Sequence, residues 1–79
     1  MTEFRAYEEF IDFIAAGPSS EHVATFQPSE STRRHVLDLL AREKGAGLSA
    51  AESEELDHYI QLEHIMRMAK ARARRLLTP

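Results

Sequence analysis

Residues 49–79 read SAAESEELDHYIQLEHIMRMAKARARRLLTP, with no glycine or proline between positions 50 and 77. Ser49 and Glu52 stand three apart ahead of an apolar run, the spacing of a capping box. In that motif each side chain satisfies the other's backbone N–H. The residues that follow are mostly Ala, Leu, Glu, Met, Lys and Arg, all strong helix formers. This predicts one uninterrupted helix over 50–77, about 42 Å long at 1.5 Å per residue. Along it Tyr59, Leu62, Met66, Ala69, Ala73 and Leu76 follow a 3-4-3-4-3 rhythm, that of a coiled-coil seam. Leu56, Ile60, Ile65 and Leu77 lie beside it.

Upstream, two shorter helices are expected. Phe4, Tyr7, Ile11 and Ile14 recur at three and four over residues 3–16, with Phe10 and Phe13 widening the stripe. Gly17-Pro18 ends that helix, because glycine accepts the left-handed cap and proline cannot continue. Residues 17–29 form a connector, with room for one helical turn starting at Ser19 or Ser20, and with Val23 and Phe26 as apolar anchors. Ser29 is the N-cap of a second helix over 30–44, with Glu30 favoured at its positive end. Val36, Leu37, Leu39 and Leu40 are its expected buried face. Residues 45–49, opening with Gly45-Ala46-Gly47, make the turn into the long helix. The expectation is thus one all-α domain over 1–79, two shorter helices plus one long C-terminal helix.

At 79 residues and without cysteine, the chain has no recourse to disulfides or thiolate zinc. Domains this short bury only about 60% of their unfolded surface and commonly recruit a second chain. A helix over 30–44 reaches about 22 Å, roughly half the long helix. The seam is therefore expected to be completed by oligomerisation or by a partner protein. A first helix doubled back over the distal half is the competing arrangement, since amphipathic faces are most often simply core.

Charge is unevenly spread. Residues 1–66 carry five Lys/Arg against thirteen Asp/Glu, whereas Arg67, Lys70, Arg72, Arg74 and Arg75 follow with no acid at all. Those five cations are the candidate contacts for an acidic surface or for phosphate. They equally suit the negative end of the helix dipole, and Glu63 to Arg67 is a favourable i,i+4 pair. No aromatic residue follows Tyr59 to stack on bases. A helix-turn-helix over 30–60 fails on charge, because its recognition helix would open on acids.

Enzymatic chemistry finds no motif, and no catalytic residue, cofactor or metal is expected. Glu55 and His58 form one Glu-x-x-His pair where a di-iron bundle needs two, with two further glutamates. His22, His35 and His64 lie on other segments or faces. Gly45-Ala46-Gly47 lacks the lysine of a phosphate loop, and Ser19 and Ser20 read as caps. No apolar run reaches the roughly 18 residues of a membrane span, and the start carries no basic leader, so a cytoplasmic location is expected.

Four segments together carry a family resemblance. They are Phe10-Ile11-Asp12-Phe13-Ile14-Ala15-Ala16-Gly17, Phe26-Gln27-Pro28-Ser29-Glu30, Leu48-Ser49 with Glu54-Glu55-Leu56, and Leu62-Glu63-His64 running on to Ala69-Lys70-Ala71-Arg72-Ala73-Arg74. Over residues 10–75 the chain resembles short bacterial all-helical proteins associated with small nuclease genes, in toxin–antitoxin-like pairs. The resemblance implies a neutraliser or accessory subunit of a nuclease, with the acidic front mimicking nucleic acid. The operator-binding module common in antitoxins has no counterpart in these residues. The leading expectation is a non-enzymatic protein–protein interaction module whose apolar contacts are Tyr59, Leu62, Met66, Ala69, Ala73 and Leu76, bound to a copy of itself or to a cognate protein. A nucleic-acid-binding accessory protein using the basic helix end is the alternative.

Overall fold

A computed structural model describes residues 5–78. Its elements are α1 (Glu8–Ala15), α2 (Ser20–Thr25), α3 (Glu30–Lys44) and α4 (Ala50–Leu77), with no strand among the described residues. The all-α class and the long final helix are as the sequence predicts. The capping logic holds residue by residue. Ser29 Oγ accepts from the Thr32 N–H, and Ser49 and Glu52 form the reciprocal capping box. Gly17 and Gly47 both take the positive φ that side chains avoid, at 68° and 95°.

Three expectations are corrected. The first helix begins at Glu8 instead of residue 3; Glu3 and Phe4 lie outside the described residues, and Ala6–Tyr7 form a turn. Ala6 is fully buried, and its N–H donates to Glu55 Oε2 of α4 at 2.7 Å, so a distant carboxylate anchors the entry to α1. The connector's single turn is a six-residue helix, α2, capped where Ser19 Oγ accepts from the His22 N–H. The third correction concerns which side chains face inward. In α1 Phe10 is buried and Phe13 packs against the core, while Ile11 and Ile14 turn outward; in α3 Leu37 is exposed beside the buried Val36 and Leu39.

Aromatic packing explains the rotation of α1. Phe10 lies 5.2 Å from Tyr59 and 5.5 Å from Phe26, and Phe13 lies 4.2 Å from Phe26, measured between ring centroids. Large rings gain more from burial than isoleucines do, and offset ring pairs add to that gain. Ala6, Phe10 and Phe13, spaced by four and three, therefore form the inward stripe. α1 runs along α4 in the same direction, Tyr7 meeting His58 edge to face at 5.3 Å. After Gly17 the chain reverses, and α2 and then α3 descend α4. The α3–α4 turn is clamped by Arg42, whose Nη2 lies 2.7 Å from Glu52 Oε2. The backbone N–H of Ser49, and then Arg42, hold the Glu52 carboxyl below its usual range.

Candidate protein-interaction surface

The predicted seam lies largely inside the chain. Tyr59, Met66 and Ala73 are buried, and Leu62 and Ala69 are half-buried against the core; of the six only Leu76, 69% exposed, stands open. The distal half is covered by α2 and the residues that lead into it, a segment absent from a comparison of the two longest helices. Pro18, Ser20 and Val23 lie along Ala69, Ala73 and Leu76. α2 approaches α4 more closely than any other element does. The two alanines permit that approach, since neither projects beyond Cβ. Five of the six predicted partner contacts are thus wholly or partly covered by the chain itself. Burial pushes the Tyr59 phenol above its usual pKa, with Glu63 and Glu9 adding to the effect.

The basic end divides in two. Lys70 is half-buried, and its Nζ donates to the Phe26 carbonyl at 2.9 Å, capping the C-terminus of α2. Arg67 pairs with Glu63 at 3.3 Å, as the i,i+4 spacing predicts. Lys70 is therefore a structural tether, which corrects its reading as a surface contact. Arg72, Arg74 and Arg75 are exposed and have no ion pair among the described residues. At about 100° per residue Arg72 and Arg75 share a face while Arg74 points well away from both, so the three do not form one phosphate-tracking stripe.

Glu55, which by sequence stands out for its spacing to His58, is the most buried acid described, at 9% exposure. Its Oε2 takes the Ala6 N–H and lies 2.9 Å from His35 Nε2, joining the N-terminal segment, α3 and α4 at one carboxylate. His58 instead packs on Tyr7. The Glu-x-x-His pair is therefore split between two structural tasks. Among the described residues no three His, Asp or Glu side chains converge as metal ligands would.

Open apolar surface remains in two places, along α3 around the exposed Leu37 and between α1 and α4. Tyr7, Ile11, His58, Gln61, Leu62 and Ile65 line a shallow groove of about 290 Å³. Ile11 is 47% exposed, Ile65 51%, and Ile14 and Met68, one turn further along their helices, are comparably open. Single apolar residues on a surface are ordinary, whereas a contiguous patch marks a contact site. The sequence placed Ile65 beside the seam and Ile11 in the core of α1, so the groove was legible as residues but not as a site.

Fold and surface together describe a small helical chain with an uncovered apolar groove and a charge gradient along its longest element. It matches no family model, no curated protein and no solved structure. No helix among the described residues is long and apolar enough to cross a membrane.

Proposed function

We infer that this chain is a non-enzymatic protein–protein interaction module that binds another polypeptide through the α1/α4 groove. The observation that carries the reading is the exposed isoleucine patch on a chain with an unusually large surface. Its accessible area is 5851 Å², against about 4,900 Å² for a compact monomer of this mass. Its radius of gyration is 14.3 Å, against about 11.6 Å for a compact chain of this length. Such a body gains by covering apolar surface with a second chain.

The resemblance to nuclease-associated proteins supports a small nuclease as cognate partner, which the module would neutralise or accompany. Acidic Glu8, Asp12, Glu54 and Asp57 lie on the two helices that frame the groove and suit a basic enzyme surface. A nucleic-acid-binding role through Arg72, Arg74 and Arg75 is the second reading, favoured only by their having no ion pair among the described residues.

Co-expression with the product of the adjacent gene separates the two. The expected result is a complex with a small nuclease that survives raised salt, inhibits the nuclease and is lost in Ile65→Asp. Duplex binding whose affinity falls steeply between about 50 and 200 mM salt, and which Ile65→Asp leaves intact, would establish the second reading and reject the first.

A further inference from the structure

We propose that the α1/α4 groove closes on a second copy of this chain, with the two α4 helices antiparallel. The proposal rests on reading the groove as a protein contact and names the occupant of the isolated chain's groove, which a nuclease engaging Ile65 would have to displace. α4 carries two stripes. The seam that faces its own chain is joined, about a quarter turn around the helix, by an outward series at Gln61, Ile65, Met68 and Arg72, spaced 4-3-4 and exposed throughout. That spacing is again the rhythm of a helix meant to lie along another helix.

Charge selects the occupant and its direction. Glu54 and Asp57 stand eleven and eight residues before Ile65, while Arg72 and Arg75 stand seven and ten after it. In an antiparallel pair centred on Ile65, the two acids of each copy therefore meet the two arginines of the other, once at each end. Ile65 meets its own counterpart at the centre, and Met68 lies near Gln61 of the other copy. A parallel pair would set like charges together at both ends. All four charged residues are exposed and have no ion-pair partner among the described residues of the chain. The neighbouring cations Arg67 and Lys70, by contrast, are already engaged internally. The contact is self-complementary, as a two-fold interface requires. Ile11 and Ile14 of each copy border it and widen the apolar centre.

The test is solution mass by light scattering across concentration, with folding checked by circular dichroism. Wild type is expected at twice the 9.0 kDa chain mass, and Ile65→Asp at the monomer mass. Glu54→Arg/Asp57→Arg and Arg72→Glu/Arg75→Glu should each dimerise about tenfold or more weakly, and an equimolar mixture of the two should recover a tight heterodimer. Wild type still monomeric at about 1 mM, a dimer indifferent to Ile65→Asp, or a mixture without recovery would each overturn the proposal. A monomer that nevertheless captures the nuclease through Ile65 would reject the dimer and leave the interaction reading standing. A dimer that captures no nuclease would support the dimer and reject that partner.

Discussion

Phe10→Ala is expected to cost about 3–5 kcal/mol of folding stability, the usual range for emptying a buried aromatic site. Phe10 is 2% exposed and touches Phe26 and Tyr59, so its ring joins α1, the end of α2 and α4. Domains of this length hold only about 4–12 kcal/mol in total. The variant should therefore melt on the order of 15–30 °C lower, or be unfolded at room temperature. Ile11→Ala, at the next position but facing outward, should cost under about 1 kcal/mol. Thermal melts followed by circular dichroism compare the two. A larger loss at Ile11 than at Phe10 would mean that α1 packs with the face first suggested by its Tyr7-Ile11-Ile14 spacing.

The second large effect is expected at Glu55. Replacing it with alanine strands the fully buried Ala6 N–H and removes the His35 contact. Losing one partner of a mostly buried, charge-assisted cluster costs about 2–4 kcal/mol, with the partial exposure of His35 favouring the lower part of that range. Glu54→Ala, one residue away and exposed, should stay within about 0.5 kcal/mol of its parent when both changes are made in the monomeric Ile65→Asp background, where the proposed contact of Glu54 with a second copy is absent. Urea midpoints for the two variants measure the difference directly. Equal midpoints would show that the Ala6–Glu55–His35 junction contributes nothing to holding the N-terminal segment on α4.

The contrast between Glu54 and Glu55 shows which part of the structure the sequence could disclose. Local hydrogen bonding is written locally. Ser29, the Ser49–Glu52 box, Gly17 and Gly47 each act within a few residues of themselves, and the bounds of α3 and α4 follow from them. The start of α1 does not, because its anchoring acceptor, Glu55, lies 49 residues away. Lys70 is the same kind of case, being a helix-end cation by sequence and the cap of α2 by contact, at a separation of 44.

Periodicity has a matching limit. It shows that Tyr59, Met66 and Ala73 share an apolar face, but not whether that face meets its own chain or another. The short α2, backed by the small Ala69 and Ala73, answers the question in favour of the chain itself. The second stripe of α4, Gln61, Ile65, Met68 and Arg72, stays exposed, and a comparison of helix lengths gives no reason to single it out. In so small a body the 28-residue α4 carries one stripe buried within the chain and one left exposed, the latter being the stripe proposed to meet a second copy.

That division can be measured with one reactive group at two positions, since the chain has no cysteine of its own. Ala71→Cys and Ala73→Cys lie two residues apart on α4, the first position exposed and the second 4% exposed beneath α2. Thiol-labelling rates should be fast at position 71 and strongly suppressed at 73, and dilution should not relieve the suppression, because the cover is intramolecular. Equal rates at the two positions would show that nothing covers the inner stripe, and protection at 73 that vanishes on dilution would show that another molecule covers it; either result contradicts an intramolecular cover.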